Sequence, residues 1–257
     1  MTHPELVQAL TVLGLRPGMD VLVHSSLSSI GWVEGGPDAL VAALVETVRP
    51  GGTVLFPALT GTKEDSAANP PRADYARPPA RWVGKVPAAA CLHEGAVRSV
   101  HPTHSVVAIG PRARALTDGH ERCDSPCGVG SPYHRLALGG GHVLLLGCDH
   151  QSNTSLHMVE EIGGAPYHLL PDVAEGTVRL PDGEARTVTT AIHQWIPRDL
   201  TRLEPRLVAA VAQRTGHVGR AECRLVDAEA QLRLGVEALS EDRNFFLIKP
   251  ASRSEGA

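Results

Sequence analysis

The sequence predicts a three-layer α/β/α protein in which helices cover both faces of a central, mostly parallel sheet. Short, almost continuously apolar runs alternate with helical periodicity, and this alternation is typical of strands that are buried on both faces. The length of 257 residues and the 42% of hydrophobic residues fit one sizeable core. We therefore predict a single domain over residues 1–250, with a β-hairpin and helices as a C-terminal subregion, and a disordered tail at 251–257.

The first elements of the chain are the basis for the parallel sheet. Thr2 and Glu5 form a capping-box pattern, which predicts a first helix. A short apolar strand follows at residues 20–24, and a periodic helix at 36–48 leads through a Pro-Gly-Gly turn into a second strand at 53–56. Strand, helix and strand in this order are the repeating unit of a parallel sheet, with the helix on one face.

The remaining elements follow a long loop at residues 60–82, which contains four prolines and is predicted to be a binding loop. A β-hairpin is expected around Pro181, Asp182 and Gly183, because this sequence favours a tight turn. The other expected helices are at 86–93, 111–116, 154–162, 204–215 and 227–239, and the other expected strands are at 105–109, 142–146, 221–226 and 245–248.

Composition excludes several classes of function. The formal net charge is −4 and no run of basic residues occurs, which argues against a nucleic-acid partner. No apolar stretch reaches the roughly 18 residues that a membrane span requires, and residues 1–10 lack the pattern of a signal peptide. The five cysteines are odd in number and contain no CxxC pair, so reduced thiols are expected. We predict a cytoplasmic protein without a membrane partner.

Polar side chains follow three of the predicted strands at the points where they end. The segments are 24–26, 57–60 and 148–150. In open parallel sheets, ligands bind at the carboxyl ends of the strands. The sequence therefore predicts a binding site at this edge of the sheet.

The loop and helix after the fourth strand carry the strongest candidate for catalysis. Ser152 or Asn153 would cap the helix, and His157 then lies in its first turn. The positive end of a helix favours a neutral imidazole, which is what a general base requires. Glu160 and Glu161 follow three and four residues later on the same face, where a carboxylate could orient the imidazole or hold an ammonium group. The alternative is an ordinary helix that carries a histidine and two acids.

Two further segments have a functional and a structural interpretation. The serine-rich segment at residues 24–31 suits contacts to phosphate, although such a turn can also be plain turn chemistry. His101 and His104 precede a strand and could bind a metal, but loop architecture is the favoured interpretation.

The cysteines suggest two alternatives that the residues alone leave open. Cys123, Cys127 and His120 have a spacing that permits zinc, although no second pair completes a site, so packing thiols are favoured. Cys148 near His150 could form a thiol nucleophile.

Six short segments together resemble a known family. The chain is similar to the aminoglycoside 3-N-acetyltransferases, the antibiotic acetyltransferase fold that is distinct from the GNAT fold. The segments, which occur in the family's order, are 21–31, 50–57, 98–105, 128–132, 144–147 and 153–160.

The resemblance implies a reaction and places residues in it. Members transfer acetyl from acetyl-coenzyme A to the 3-amino group of the 2-deoxystreptamine ring, which gives resistance to the antibiotic. His157 matches the catalytic histidine, and Glu160 the acidic residue three positions later. Ser25, Ser26 and Leu27 match a segment that contacts the coenzyme.

The prediction of coenzyme contacts extends to neighbouring residues. His24 and Ser28 flank the matched strand end, and His104 and Ser105 lie in a second segment of the same kind. No metal is expected. The expected partners are coenzyme A and a small-molecule aminoglycoside, and a homodimer is a further hypothesis.

The chain departs from the family after the hairpin. Many members carry acidic residues there that assist the histidine or bind the drug, but in residues 192–199 only Asp199 is acidic, so we assign it to catalysis. Because aminoglycosides are polycations, acidic groups are expected around the drug. The candidates for substrate binding are Asp65, Asp74, Asp124, Glu161 and the neutral Asn153.

Three rivals to this function remain. The first is a hydrolase that depends on a thiol or a metal and uses Cys148, His150 and His157. The second is a protein that sequesters aminoglycosides without modifying them. The third is an acetyltransferase of the same fold that acts on a different small-molecule amine.

Overall fold

A seven-stranded sheet organises the computed structural model, which describes residues 1–248. The strands are β1 Asp20–Ser25, β2 Thr53–Pro57, β3 Arg72–Asp74, β4 Val97–Arg98, β5 Val106–Ile109, β6 His142–Leu146, β7 Ala174–Arg179, β8 Ala185–Thr190, β9 Gln213–Val218 and β10 Ala221–Asp227. The α-helices are α1 His3–Leu13, α2 Leu27–Ile30, α3 Gly36–Val48, α4 Lys85–Leu92, α5 Ala113–Thr117, α6 Pro132–Leu138, α7 Leu156–Ile162, α8 Glu204–Ala209 and α9 Ala228–Glu241. Short 3-10 turns are Arg81–Val83, His120–Arg122, His150–Ser152 and Leu200–Leu203.

The large sheet has a parallel centre. Its strand order is β4-β5-β2-β1-β6-β10-β9, and β1 pairs in parallel with both β2 and β6. β5 and β10 are antiparallel to β2 and β6, while β4 and β9 reverse direction once more. Five of the seven strands therefore run in one direction, and the sheet is mixed, with the expected parallel pairing in its centre and antiparallel pairing toward both edges.

Helices pack on both faces of the sheet, which explains why its central strands are apolar throughout. Val21 and Val23 of β1 point into a core shared with α1, α3 and α4. Leu22, between them, points into the opposite core with α6, α7 and α9. Because successive side chains of a strand alternate between faces, a strand covered on both sides needs an uninterrupted apolar run. The three-layer α/β class is confirmed.

The topology places a crevice at the carboxyl ends of β1 and β6. From β1 the chain passes through α3 to β2 on one side, whereas β6 has β10 as its neighbour on the other side. Neighbouring parallel strands whose connections leave in opposite directions form a switch point, where ligands bind. The polar segments after β1, β2 and β6 all end at this edge.

The predicted hairpin is present as β7 and β8, and it belongs to a second sheet with the order β3-β7-β8. The third strand comes from the long loop at 60–82, where β3 pairs in parallel with β7. The loop therefore contains a strand that the sequence did not indicate. Three residues with one buried side chain, Ala73, are too few to show a period.

Two predicted elements near the C-terminus are wrong in extent. The helix expected over 204–215 ends at Ala209, because residues from Gln213 onward pair with β10. Val211 adopts a φ of 57°, a left-handed backbone that separates the helix from the strand. The strand expected at 245–248 is limited to one bridge between Leu247 and Arg198.

The single domain over residues 1–250 stays a prediction, and the tail predicted at 251–257 lies outside the described residues. Over residues 1–248, none of the helices has both the length and the apolar character needed to cross a bilayer.

Candidate active site

A cleft of about 420 Å³ opens at the carboxyl ends of β1, β2 and β6. Its walls come from these strand ends, from the loop at 148–154, from α7 and from residues 191–199, which we call the post-hairpin segment. The cleft thus lies at the predicted edge of the sheet.

His157 and Glu160 form a hydrogen-bonded pair on one wall of the cleft. His157 Nδ1 lies 2.8 Å from Glu160 Oε2, and the spacing of three residues puts both side chains on the same side of α7. The carboxylate is fully buried, whereas 20% of the His157 side chain is exposed. A carboxylate on Nδ1 fixes the tautomer with its proton on that atom, so the lone pair lies on Nε2.

Glu160 is bound by two further groups. His168 Nδ1 lies 3.0 Å from Glu160 Oε2, and Arg198 forms an ion pair with Oε1 at 2.9 Å. Burial alone would raise the pKa of Glu160, but the hydrogen bonds with His157 and His168 lower it well below its usual value. Glu160 is therefore an ionised acceptor that joins two histidines and an arginine.

Glu161 lies in a second, neighbouring group. His193 Nε2 is 2.6 Å from Glu161 Oε1, and the backbone N–H of Cys127 donates to the same carboxylate at 3.0 Å. The His193 ring is centred 4.9 Å from the His157 ring and 4.2 Å from the His168 ring. Two buried carboxylates therefore support a cluster of imidazoles on one side of the cleft.

The histidines around the cleft differ in the direction in which their surroundings shift the pKa. Burial lowers the pKa of His157, and the adjacent Glu160 only partly opposes this effect. Burial lowers the pKa of His104 and of His193 further. His168 is different, because the two carboxylates outweigh its burial and raise its pKa. The raised pKa of His168 and the Arg198 guanidinium favour positive charge beside the two carboxylates, whereas burial favours the neutral form of the imidazoles that face the cleft.

A buried polar network holds the start of α7. Asn153 Oδ1 accepts hydrogen bonds from the backbone N–H and the hydroxyl of Ser155, at 3.2 and 2.5 Å. Gln231 of α9 donates to Ser155 Oγ and accepts from Asn153 Nδ2, both at 2.8 Å. Asn153 lines the cleft, but this network occupies its side-chain amide.

The post-hairpin segment reaches the cleft by pairing with the residues around His168. Leu170 N–H donates to Ile192 O at 2.8 Å, and Gln194 N–H donates to His168 O at 2.7 Å. This pairing places His193 beside His168. The Arg198 ion pair with Glu160 then fixes the far end of the segment.

The opposite wall is formed by the end of β1. Burial, with His150 and His157 nearby, lowers the pKa of His24 to about 3. His24 Nε2 and Ser25 Oγ are buried and have no hydrogen-bond partner among the described residues, while Ser26 Oγ contacts Ser29 Oγ at 2.8 Å. All three wall residues, His24, Ser25 and Ser26, line the cleft. This wall thus offers free polar atoms to a ligand.

Two tryptophans meet across the cleft. The rings of Trp82 and Trp195 pack edge to face with their centroids 6.3 Å apart. Both side chains line the cleft, and more than half of each is exposed.

The structure corrects the positions of several predicted residues. Asp199 caps the turn at Leu200–Leu203, and its Oδ1 accepts from the backbone and hydroxyl of Thr201. It therefore does not orient His157, since Glu160 occupies that position.

The acids expected to hold a cationic drug do not line the cleft. Asp65 binds Thr62 within its own loop, Asp74 accepts from Ala76 N–H, and Asp124 is exposed on another loop. Glu161 lies behind His193. Among the described lining residues, none is Asp or Glu.

The expected coenzyme residues separate into two groups. His24, Ser25, Ser26 and His104 line the cleft, but Leu27, Ser28 and Ser105 do not. Ser105 is fully buried, and its hydroxyl donates to Ala58 O at 2.7 Å. Leu27 packs against the core beneath α1 and α3, and Ser28 is exposed.

The thiol and zinc alternatives find little support. Burial and the nearby Asp149 raise the pKa of Cys148 to about 11, so its thiol stays protonated at neutral pH. Both ring nitrogens of His120 are engaged, by Ser99 Oγ and by Pro126 O.

Two sets of residues lie close enough to hold a metal ion. They are His104, Cys127 and His193, and His157, His168 and His193.

Sequence reasoning missed His168, His193 and Arg198. His168 is 11 positions after His157 and lies beyond the end of α7 at Ile162, so no helical period connects the two. The other two residues reach the cleft only through the pairing of the post-hairpin segment. No local signal marks them.

Comparison with known proteins gives one consistent result. The family model for aminoglycoside 3-N-acetyltransferase matches residues 22–240. Aminoglycoside N(3)-acetyltransferase VIII of Streptomyces fradiae is 36% identical and covers 92% of this chain and 91% of that protein. The solved structure of AAC-IIIb with CoASH has a TM-score of 0.81 at 29% identity, covering 97% and 99% of the two chains. That of a mutant of AAC(3)-IVa in complex with a gentamicin has a TM-score of 0.82 at 30% identity, covering 97% and 92%.

Proposed function

The chain belongs to the aminoglycoside 3-N-acetyltransferase family, and on that premise we propose that it transfers acetyl from acetyl-coenzyme A to the 3-amino group of a 2-deoxystreptamine aminoglycoside. The product would no longer act as an antibiotic, so the enzyme would confer resistance. The observation that carries this proposal is the His157–Glu160 pair, with a neutral imidazole at the cleft and a fully buried carboxylate behind it.

His157 acts as the general base in the proposed reaction. Glu160 holds the Nδ1 proton, so Nε2 accepts the proton that the amine loses as its nitrogen bonds to the thioester carbonyl carbon. Such positioned base catalysis contributes roughly 10²–10⁴-fold. Glu160 also stabilises the imidazolium that forms, and Arg198 and His168 keep Glu160 ionised.

The proton returns to the leaving group. When the carbon–sulfur bond breaks, the coenzyme thiolate takes the proton from His157 Nε2, and the base is neutral again. One amine proton is thus transferred to the coenzyme sulfur, and the products are the amide and free coenzyme A. The reaction needs no metal, and the Nδ1 atoms of His157 and His168 already bind Glu160.

The β1 wall is the proposed contact for the coenzyme. His24 Nε2 and Ser25 Oγ are buried polar atoms without partners among the described residues, and such atoms suit a ligand that supplies hydrogen bonds. The five free cysteines fit a reducing compartment, so we place the protein in the cytoplasm.

The decisive measurement is the release of free coenzyme A across a panel of aminoglycosides, with mass spectrometry of the product. We expect release with 2-deoxystreptamine drugs and a gain of one acetyl group. Substituting His157→Gln should lower kcat at least a hundredfold with an unchanged melting temperature. His3→Gln, which alters a surface histidine paired with Glu46, is the matched control. Near-normal turnover in His157→Gln would refute the proposed base.

A second candidate is acetylation of a less cationic amine. It is favoured by the lack of Asp and Glu among the described residues that line the cleft. Adding small monoamines to the panel separates the two functions, because only the second candidate predicts a higher kcat/KM for the monoamines. Drug binding without release of coenzyme A would instead indicate sequestration.

A further inference from the structure

A second imidazole–carboxylate pair faces the same cleft as the proposed catalytic pair. His193 lines the cleft and bonds Glu161 at 2.6 Å, while His157 lines it and bonds Glu160 at 2.8 Å. The two rings are centred 4.9 Å apart. The two rings are in contact at this spacing, so one small group in the cleft beside them can border both imidazoles.

Glu161 determines which nitrogen of His193 is free. The N–H of Cys127 donates to both oxygens of this carboxylate, at 3.0 and 3.1 Å, so Glu161 acts as an acceptor there. A carboxylate has no proton to give, and the proton of the 2.6 Å contact must therefore come from His193 Nε2. The lone pair of His193 is then on Nδ1, which makes no hydrogen bond within residues 1–248.

We propose that His193 Nδ1 accepts a hydrogen bond from the reacting amine, so that His157 and His193 together hold its two N–H bonds. The nitrogen lone pair is then directed away from both rings, toward the thioester carbon. His193 is a catalytic residue in this arrangement, and Glu161 is a positioning residue that acts through it. The inference rests on the proposed acetyl transfer.

The charges around His193 favour an acceptor rather than a second base. It is faced by His104, His157 and His168, by Glu160 and Glu161, and by Arg198. Burial, the neighbouring His168 and His157 and the Arg198 guanidinium oppose a positive charge on His193 and lower its pKa. His193 therefore stays neutral and contributes orientation, which can account for large rate factors when an amine must approach a carbonyl in one direction.

The arrangement predicts a preference for primary amines. A primary amine offers two N–H bonds, one to each imidazole, and still has its lone pair. An acceptor that is N-methylated at the reacting nitrogen offers only one, so it loses one of the two contacts.

Glu161→Gln is the sharpest test, because it should reverse the tautomer of His193. The amide oxygen can accept from Cys127 N–H while the amide N–H donates to His193 Nε2, which moves the imidazole proton to Nδ1. That atom then repels the amine N–H. We expect kcat/KM for the primary amine to fall roughly ten- to a hundredfold, the size of one lost hydrogen bond to a buried group. KM for acetyl-coenzyme A should not change.

Two comparisons connect this loss to the substrate amine. His193→Ala should cost as much as Glu161→Gln, and the double variant should cost no more than either one, because both remove the same contact. For the acceptor N-methylated at the reacting nitrogen, the loss in Glu161→Gln should be smaller. Nitrogen-15 spectra of histidine should show the His193 proton on Nε2 in the wild type and on Nδ1 in the variant.

The surface pair His3–Glu46, with a contact of 2.7 Å, provides the matched control. Glu46→Gln makes the same chemical change and should leave kcat/KM unaltered. Unchanged kcat/KM in Glu161→Gln, despite the reversed tautomer, would overturn the inference but leave the proposed transfer standing. Equal losses for the primary and N-methylated acceptors would also overturn it. A wild type that releases no coenzyme A with any amine would instead refute the proposed function.

Discussion

The start of α7 and the post-hairpin segment are two walls of one cleft that are held in different ways. The start of α7 is fixed from behind by the buried hydrogen bonds of Asn153, Ser155 and Gln231. The post-hairpin segment has no helix or long strand, and it is held by backbone pairing to residues 168–170 and by the Arg198 ion pair. The first wall is therefore held by a buried network of neutral hydrogen bonds, whereas the second combines backbone pairing with a buried ion pair.

Two carboxylates that are adjacent in sequence link the start of α7 to the post-hairpin segment. Glu160 and Glu161 both belong to α7, yet each binds residues that come later in the chain. Glu160 connects α7 to His168 and Arg198, and Glu161 connects it to His193. The rigid wall thus positions the less regular one through one ion pair, Glu160 with Arg198, and one hydrogen bond, Glu161 with His193.

Removing the charge of Glu160 tests this link most severely. Glu160→Gln should lower kcat roughly a hundredfold, because it disturbs the tautomer of His157. It should also lower the free energy of unfolding by about 3–5 kcal/mol, since Arg198 is left without its buried partner. Steady-state kinetics and urea denaturation measure the two effects. A variant with kcat within threefold of the wild type would contradict the central place of this carboxylate.

Acid should destabilise the folded protein. The pKa values of His24, His101, His104, His120 and His193 are lowered by burial, so below about pH 6.5 the unfolded chain binds protons that the folded chain does not. Stability is therefore lost as the pH falls, by up to about 1.4 kcal/mol per histidine and pH unit.

His168 has the opposite sign. Its raised pKa gives stability that is fully present below about pH 6.5 and is lost as the pH rises through the folded value. The five lowered groups dominate, and we expect the melting temperature to fall steadily from pH 7 to pH 5. A constant or rising melting temperature over this range would contradict the assignment of neutral buried histidines.

Gln231→Ala weakens the first wall alone. Its amide satisfies two buried groups, so the loss should cost about 1–3 kcal/mol of unfolding free energy. Because α7 also packs on the core, kcat should fall less than tenfold. Thermal denaturation and kinetics of the same preparation measure the two effects. A loss of kcat as large as that of Glu160→Gln would contradict this prediction, because it would show that the buried polar network of Asn153, Ser155 and Gln231 positions His157 as strictly as the carboxylate does.

Asp199→Ala should have the smallest effect. The carboxylate caps a short turn in the post-hairpin region, and its hydrogen-bond partner within residues 1–248 is Thr201. We expect a cost of about 0.5–2 kcal/mol in stability and a kcat within threefold of the wild type. A large loss of kcat with normal stability would return Asp199 to the catalytic role that the sequence suggested.

Local patterns were sufficient for most of the fold and for half of the site. β6 is a continuous apolar run and α3 has a strong helical period, and the predicted bounds of both are those observed. His157 and Glu160 are three residues apart, so their contact follows from helical geometry. His193 and Arg198 are 36 and 41 positions after His157, and their approach depends on a pairing of irregular backbone that leaves no periodic trace.

The acidic residues that were expected to line the cleft do not line it, for a related reason. Asp65, Asp74 and Asp124 were chosen by charge and by their place in loops. Short-range contacts to neighbouring backbone hold the carboxylates of Asp65 and Asp74, and Asp124 is exposed. The sequence shows that an acid is present, and only the tertiary structure shows whether it faces a ligand.

The edge-to-face indoles at the mouth of the cleft give the protein an internal optical reporter. The chain has three tryptophans, and Trp32 is the one that does not line the cleft. A ligand that enters between Trp82 and Trp195 changes the polarity around both rings, so the intrinsic emission spectrum should shift with occupancy. In a Trp32→Phe background that signal comes from the cleft alone, and titrations can follow binding without any label or turnover.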